Sequence, residues 1–255
     1  MPDAQEAAGE GLLASGITCA PLAGVTLAAP PGTVTGLIGP AGSGKSALLD
    51  VISGLRRPSA GTLLLDGADL AGRSAHARAR LGVARTFQRP QAFRTLTVRE
   101  NVRLAAEAHA LTRPIAGRGA RDRLRRRREA LRRCGDVADA LLARTGIARH
   151  ADDLPKRLPP GSVRLMELAR ALATRPRLLL LDEPSADLPL RESRALEVLI
   201  RDLAAEGLAV VLAERDLEQV MGVCDELHVL RAGRTVASGP PFQVRADTRR
   251  AQDVP

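Results

Sequence analysis

The feature that most constrains this chain is an eight-residue segment near its N-terminus, residues 39–46, which reads GPAGSGKS. It fits the pattern G-x-x-x-x-G-K-[ST] without a gap. The residues before it (34–38, VTGLI) are typical of a buried strand, and those after it (47–52, ALLDVI) of the start of a helix. In that setting backbone N–H groups and the helix N-terminus converge on phosphate oxygens, whereas a chance glycine-rich turn needs neither flanking element. The segment therefore predicts a nucleoside triphosphate site.

The predicted binding residues of this loop are Gly39, Pro40, Ala41, Gly42, Ser43, Gly44, Lys45 and Ser46. In such loops the lysine ammonium reaches the β- and γ-phosphates, and the hydroxyl after it binds Mg²⁺. Lys45 is conspicuous because only two of the 38 basic residues are lysines, the other being Lys156. The larger, planar guanidinium of arginine would fit poorly at this position.

The bulk composition is that of a single globular domain. A chain of 255 residues, 45% of them hydrophobic, can bury a sizeable core. Cys19, Cys134 and Cys224 are odd in number and far apart, and no signal peptide is recognisable, which predicts a reduced cytosolic protein without disulfides or a zinc site. Residues 11–44 carry no charge, but prolines and glycines interrupt them, so we do not expect a membrane span.

The formal charge of +9 is concentrated in residues 121–133, which read RDRLRRRREALRR. A solvated helical face is the simplest interpretation of such a run. Attraction to anionic membrane lipid is the second interpretation, and binding of nucleic acid the third. No aromatic residue is interleaved with these arginines, so nucleic-acid bases would have no platform on which to stack.

Apolar runs and chain breakers predict an alternation of strands and helices. Strands are expected at residues 33–39, 61–66, 82–87, 177–182, 208–213 and 226–231. Helices are expected at residues 45–54, 97–109, 119–146, 162–174, 190–206 and 216–223. Short, continuous apolar runs between breakers suit buried parallel strands, so the order indicates an α/β fold with right-handed crossovers. The stretch from about 97 to 174 is all-helical and would be an inserted subdomain, and the residues after 239–241 are predicted to be a polar, frayed tail.

Two further segments carry oxygen ligands suited to a magnesium–nucleotide complex. Residues 178–184 read LLLLDEP, an apolar strand that ends in two acids. Asp182 would hold Mg²⁺, usually through water, and Glu183 would polarise the attacking water. Gln88 ends the segment that enters the helical insertion, where its amide could contact Mg²⁺ or the lytic water.

The order of these segments is similar to that of the ATP-binding cassette (ABC) ATPases, over roughly residues 11–240. More closely, the chain resembles the ATPase subunits of branched-chain amino acid (Liv-type) importers. Besides the long basic insertion, the stretches that carry this resemblance are residues 82–88, 96–102, 164–172, 220–225 and 233–239.

The resemblance implies one ABC ATPase domain over residues 1–255, with a P-loop NTPase core, a mainly parallel sheet and an N-terminal antiparallel β portion. The helical subdomain would cover about residues 89–175, and the frayed tail residues 242–255. ATP and Mg²⁺ are the implied cofactors, with Ser46, Gln88 and Asp182 at the metal. The implied partners are ABC permease subunits and a second ATPase subunit, identical or different, at the cytoplasmic face of the plasma membrane.

The family's signature loop is altered in this chain. It normally reads LSGGQ, or LAYGQ in Liv-type members, and presents N–H groups and a helix N-terminus to the γ-phosphate bound by the partner. Residues 158–162 read LPPGS instead. Pro159 and Pro160 remove two donors. Gly161 and Ser162 remain as predicted nucleotide-binding residues, so the anion site is weakened and not necessarily lost.

The family's switch histidine, expected after the strand at 209–213, is replaced by Arg215. Arginine cannot give up its proton, so it would act in the catalytic set only as a fixed cation that reaches the γ-phosphate. A solvated arginine paired with a nearby acid is the equally weighted alternative.

Two further departures from the family pattern concern the dimer contact and the binding of the adenine base. The loop at 185–189 is one residue shorter than the family's dimer-contact loop and lacks the acid or amide expected after Leu188. Residues 16–24 contain no aromatic on which adenine could stack, an interaction worth about 1–3 kcal/mol.

Three functions are therefore weighed. The leading hypothesis is an importer ATPase subunit that still hydrolyses ATP, because Lys45, Ser46, Gln88, Asp182 and Glu183 are intact. The second is a hydrolysis-deficient nucleotide-binding subunit that pairs with a competent one. The third is a soluble, non-transport ABC protein that acts on nucleic acid, for which the chain offers no recognition motif.

Overall fold

The computed structural model describes residues 10–112, 119–186 and 188–252. These residues form two compact units. Unit 1 takes its residues from 1–85, 177–184 and 197–255, and unit 2 from 86–176 and 185–196. Within the described ranges no helix has both the length and the hydropathy needed to cross a membrane.

Unit 1 contains an antiparallel sheet of four strands in the order β2-β1-β4-β5. Its strands are β1 (Leu12–Cys19), β2 (Leu22–Ala29), β4 (Ala60–Leu65) and β5 (Ala68–Asp69). Alternate residues of β2 are buried, as expected for a sheet with one face in the core and one in solvent. This is the antiparallel portion implied by the family resemblance.

The second sheet of unit 1 has six strands in the order β10-β9-β3-β8-β7-β6. Its strands are β3 (Val34–Ile38), β6 (Val83–Arg85), β7 (Leu178–Asp182), β8 (Ala209–Glu214), β9 (Glu226–Arg231) and β10 (Arg234–Gly239). All neighbouring pairs are parallel except β9 and β10. Every residue of β3, β7 and β8 is buried, which explains why these strands read as continuous apolar runs. The carboxyl ends of these three central strands therefore lie side by side.

Three helices belong wholly to unit 1: α1 (Lys45–Ser53), α2 (Ala75–Leu81) and α8 (Pro241–Gln252). Helix α1 follows the loop after β3 and buries Leu48, Leu49 and Ile52 in the same apolar core as residues of β3, β7 and β8. This packing fixes the N-terminus of α1 at the edge of the sheet where the parallel strands end.

Unit 2 is helical, with α3 (Val98–Thr112), α4 (Ala120–Arg132), α5 (Cys134–Arg144) and α6 (Pro160–Ala173). Its core forms where α3, α5 and α6 pack together around Val102, Leu142 and Met166. Helix α4 buries none of its residues. A seventh helix in chain order, α7 (Leu190–Ala205), has residues in both units.

The predicted fold class is confirmed, and each of the six predicted strands is present. Three element predictions are wrong. The segment expected to be one helix at 119–146 forms two helices that meet at Arg133. Gly135, just after this point, is a poor helix former. Residues 216–223 form bends and turns, and the Asp216 carboxylate accepts the backbone N–H of Glu218 (3.0 Å) at their start.

The third correction concerns the C-terminal segment. Residues 241–252, predicted as part of a frayed polar tail, form helix α8, and Val244 on this helix is fully buried. Burial of this apolar side chain anchors the first turns of the helix, whereas Phe242 beside it is exposed. Residues 253–255 of the predicted tail lie outside the described residues.

Candidate functional site

The predicted phosphate loop connects β3 to α1 in unit 1. Gly42 and Gly44 have φ angles of 78° and 112°, a region that favours glycine. The turn is closed by a hydrogen bond from the Ser43 N–H to the Pro40 carbonyl (3.1 Å). Residues 39–46 therefore have the strand–loop–helix arrangement that places backbone N–H groups at a helix N-terminus.

Lys45 is the first residue of α1, and its side chain is almost fully buried. Its ammonium group donates to the carbonyl oxygens of Gly39 and Pro40, the latter at 3.1 Å. Burial lowers the pKa of Lys45, and the neighbouring carboxylate of Glu183 opposes that shift. A cation with a reduced hydration shell, enclosed by the loop, is suited to bind phosphate oxygens.

Ser46 and Asp182, both predicted magnesium ligands, are in contact. The Ser46 hydroxyl donates to Asp182 Oδ1 at 3.3 Å, and the Asp182 carboxylate is buried at the end of β7. A hydroxyl and a carboxylate oxygen at a phosphate loop are the donor types that Mg²⁺ takes alongside water and phosphate. The residues present therefore fit a magnesium ion.

Arg85 is a site residue that the sequence reasoning missed. Its guanidinium donates to Asp182 Oδ2 (3.0 Å) and to Asp50 Oδ1 (2.6 Å), so it links β7 to α1 from the neighbouring strand β6. Its side chain is only 6% exposed. The signal was present in the sequence, because an arginine inside an apolar strand needs a buried acid as its partner.

Glu183 follows β7 in a left-handed conformation, with a φ angle of 48°. Its backbone N–H donates to the carbonyl of Ala213 (2.9 Å), which extends the pairing of β7 with β8. Arg215 Nε donates to Glu183 Oε1 at 2.7 Å. This hydrogen bond raises the pKa of Arg215. The structure thus favours the alternative in which Arg215 pairs with a nearby acid, and the acid is the predicted catalytic carboxylate.

The remaining predicted site residues belong to unit 2. Gln88 precedes a segment that is bound to α6: Arg164 donates to the Gln88 carbonyl (3.3 Å), and Glu167 accepts the backbone N–H of Gln91. Arg170 donates to the Gln91 carbonyl. Burial raises the pKa of Glu167 and lowers that of Arg170. Helix α6 therefore holds the backbone that carries Gln88.

The altered signature loop forms the start of α6. Pro159 precedes the helix and Pro160 is its first residue, a position that accepts proline because its N–H would have no intrahelical partner. Gly161 and Ser162 follow in the first turn, and both are buried. A Cβ atom on Gly161 would lie 2.5 Å from Leu188 Cδ2, so the Leu188 side chain of the dimer-contact loop would have to shift to admit it. Asp187 of that loop lies outside the described residues.

The structure thus collects residues 39–46, Asp182, Glu183 and Arg215 in unit 1, and Gln88, Gly161 and Ser162 in unit 2. Those of unit 1 stand where the phosphate loop meets the carboxyl ends of β7 and β8. The arrangement combines a buried ammonium, a hydroxyl–carboxylate pair and a second carboxylate. These are the groups that binding of a magnesium–nucleoside triphosphate and activation of water require.

Comparison with known proteins identifies the class. The family model described as ABC transporter matches residues 22–186, and the chain belongs to this family. It is 36% identical over 223 residues to LivG, the high-affinity branched-chain amino acid transport ATP-binding protein of Escherichia coli (strain K12), covering 87% of this chain and 86% of LivG.

Two further similarities support the assignment. BraF of Pseudomonas aeruginosa, a protein with the same description, is 36% identical over 224 residues, which cover 87% of this chain and 86% of BraF. Among solved structures, an ATP-binding cassette of an ABC transporter in its ADP conformation matches with a TM-score of 0.78 and 27% identity. That match covers 95% of this chain and 97% of the other.

Proposed function

We propose that this chain is the ATP-binding subunit of an ABC importer and couples ATP turnover to solute movement through a membrane permease. The observation that carries the proposal is the contact between Ser46 and Asp182 beside the buried ammonium of Lys45. The names of LivG and BraF point to branched-chain amino acids as the solute.

In this proposal the loop residues 39–46 bind the phosphates of ATP, and Ser46, Asp182 and Gln88 hold Mg²⁺. The bound ion would neutralise charge on the phosphates. Glu183 takes a proton from the attacking water, and Arg215 stands where the family has its switch histidine. Arg85 holds the Asp182 carboxylate in place, because its guanidinium occupies one carboxylate oxygen while Ser46 contacts the other.

The partners in the proposal are permease subunits and a second ATPase subunit, at the cytoplasmic face of the plasma membrane. Gly161 and Ser162 of one subunit would contact the ATP held by the other. Because Pro159 and Pro160 remove two N–H donors from that contact, a partner with an intact signature loop would bind the γ-phosphate in this chain's site more strongly than a second copy would.

The chain's two lysines provide the binding test with a matched control. Lys45→Ala removes the phosphate-loop cation, and Lys156→Ala removes the exposed lysine of a 3₁₀ turn. Stabilisation by Mg-ATP in thermal unfolding should be lost in Lys45→Ala and kept in Lys156→Ala. Equal stabilisation of both variants would place the nucleotide elsewhere and refute the proposed site.

Transport is tested with the permease and any second ATPase encoded beside this chain. In vesicles that contain the assembled complex, ATP hydrolysis and uptake of labelled leucine should both depend on Lys45. ATP turnover without uptake of leucine, isoleucine or valine would contradict the proposed solute and retain the ATPase assignment.

A second candidate is a nucleotide-binding subunit that does not hydrolyse ATP. The Arg215–Glu183 ion pair favours it, because a carboxylate held by a cation is a poor base. Steady-state turnover of the wild type and of Glu183→Gln separates the two candidates. Equal, background-level rates with the native partners present would establish the second candidate.

A further inference from the structure

Arg215 and Glu183 form an ion pair just beyond the ends of β8 and β7. Arg215 Nε lies 2.7 Å from Glu183 Oε1, the distance of a strong charge-assisted hydrogen bond. The carboxylate side chain is 9% exposed, whereas the arginine side chain is 54% exposed. The arginine therefore approaches a buried acid from the solvent side.

The backbone pairing of β7 with β8 positions Glu183 and Arg215 next to each other. Asp182 pairs with Ala213 in the parallel ladder of β7 and β8, and the Glu183 N–H continues the ladder by donating to the Ala213 carbonyl. Arg215 comes two residues after Ala213 and one residue after the end of β8. Because adjacent parallel strands end here together, the contact between Glu183 and Arg215 follows from strand register.

The pairing has a chemical consequence for the acid. When ATP is hydrolysed, the oxygen of water bonds to the γ-phosphorus and a carboxylate accepts the water proton. The bond from that phosphorus to the bridging oxygen breaks, and ADP leaves with the electron pair. A carboxylate oxygen that accepts a hydrogen bond from a guanidinium directs that lone pair to the guanidinium N–H and not to the attacking water. Arginine keeps its charge at every accessible pH, whereas a histidine at the same position can be neutral near pH 7.

We propose that Arg215 is a positioning residue that holds Glu183 as an ion pair and restrains it from acting as the general base. The inference rests on the proposed function and concerns how the rate of ATP hydrolysis at that site is controlled. Hydrolysis requires the pair to open. The pair therefore sets a low turnover rate without preventing nucleotide binding.

The pair itself is tested without nucleotide. Arg215→Gln, Glu183→Gln and the double variant form a double-mutant cycle, read by urea unfolding of the full chain. Arg215→Gln should lower the unfolding midpoint, because it removes a charge-assisted hydrogen bond to a buried carboxylate. Adding Glu183→Gln should restore part of that loss. Strictly additive effects would show that the two residues are not coupled and would overturn the inference.

The consequence is tested by turnover. Arg215→Gln and Arg215→His should raise kcat for ATP by about tenfold, a fraction of the 10²–10⁴ that a general base contributes. KM for ATP should change little. The matched control is Arg177→Gln, which breaks an exposed arginine–carboxylate pair with Asp66 (3.0 Å) outside the catalytic set and should leave kcat unchanged. An unchanged or lower kcat in both Arg215 variants would overturn the inference.

Different results would refute the proposed function and the restraint of Glu183 by Arg215. If Lys45→Ala binds ATP as well as wild type does, the proposed function is wrong. If ATP binding depends on Lys45 but neither Arg215 variant gains Glu183-dependent turnover, the proposed function stands and the restraint by Arg215 is wrong. Glu183→Gln combined with Arg215→Gln supplies the last check, because any gain in kcat must vanish when the carboxylate is absent.

Discussion

Arg85 has a nearly buried side chain, and two acids accept hydrogen bonds from it. It bridges Asp182 at the end of β7 and Asp50 on α1. Removing the cation would take a charged hydrogen-bond donor from both carboxylates, of which that of Asp182 is buried. Breaking a buried pair in this way costs about 3–5 kcal/mol.

Arg85→Leu should therefore lower the free energy of unfolding by about 3–5 kcal/mol and weaken Mg-ATP binding, measured by urea unfolding and by thermal shift with nucleotide. Arg85→Lys keeps the charge but loses the planar guanidinium that donates to both carboxylates, so it should be intermediate in both measurements. If Arg85→Leu is as stable as wild type and binds Mg-ATP equally well, the network around Asp182 does not have the role inferred for it.

Burial of the His228 ring predicts how the stability of the folded chain changes with pH. The ring is 7% exposed on β9, and burial lowers its pKa from the ordinary 6.5, opposed by the Glu226 carboxylate 3.4 Å from Nε2. Between pH 6.5 and the lower folded value, the unfolded chain binds a proton that the folded chain does not. The contribution of His228 to stability is thus fully present above pH 6.5 and is lost as the pH falls below it.

His228→Leu should remove this contribution. Neither ring nitrogen makes a hydrogen bond, so an apolar side chain of similar size costs little. Thermal unfolding from pH 7.5 to 5.5 should show a smaller drop in Tm for His228→Leu than for wild type. Parallel curves for the two proteins would mean that His228 is protonated in the folded state as easily as in the unfolded one.

The identities of the chemical groups were readable from sequence, but their pairings were not. Lys45, Ser46, Asp182 and Glu183 stand in short local motifs with strand–loop geometry. The partner of Arg215 depends on the register of β7 against β8, and the partners of Arg85 on where β6 adds to that sheet. Register is set by tertiary packing, which local sequence patterns do not encode.

At the scale of elements, the buried parallel strands were predicted well, whereas β1, β2, β5 and β10 had no strand prediction of their own. The buried parallel strands read as apolar runs between breakers. Helix α2 was missed because its sequence, AHARARL, lacks an apolar face, although Ser74 accepts the Ala77 N–H (3.3 Å) at its start and Gly82 ends it. The break at Arg133 comes at the end of a run of good helix formers, where Gly135 follows and α5 packs into the unit 2 core.

That packing predicts a contrast between two leucines of unit 2. Leu142 on α5 is fully buried, and Leu124 on α4 is 51% exposed. Leu142→Ala should lower the free energy of unfolding by about 2–5 kcal/mol, because it removes core contacts and leaves a cavity. Leu124→Ala should change it by no more than about 0.5 kcal/mol. Urea unfolding measures both, and a large loss for Leu124→Ala would contradict the solvated position of α4.

At the scale of the whole molecule, two motifs bear on assembly. The family implies a dimer in which the signature loop of one subunit completes the ATP site of the other. Glu183→Gln keeps the size and hydrogen bonding of the side chain but removes the base, so ATP should stay bound and hold the dimer together. In the proposed dimer Pro159 and Pro160 would weaken the same contact, because proline has no backbone N–H to donate. Association of two copies of this chain would then depend on the N–H groups of Gly161 and Ser162.

We expect Glu183→Gln with Mg-ATP to elute in light-scattering chromatography at about twice the 27.0 kDa of one chain, and Glu183→Gln/Lys45→Ala to remain monomeric. The double variant is the control, because it lacks the phosphate-loop cation that retains ATP. If Glu183→Gln binds ATP yet stays monomeric, the signature loops of two copies, each with Pro159 and Pro160, cannot complete the two ATP sites of a homodimer. Mixing it with the neighbouring ATPase subunit should then give a dimer, since an intact signature loop from that subunit would complete the site that holds this chain's ATP. A monomer under both conditions would exclude the sandwich arrangement for this chain.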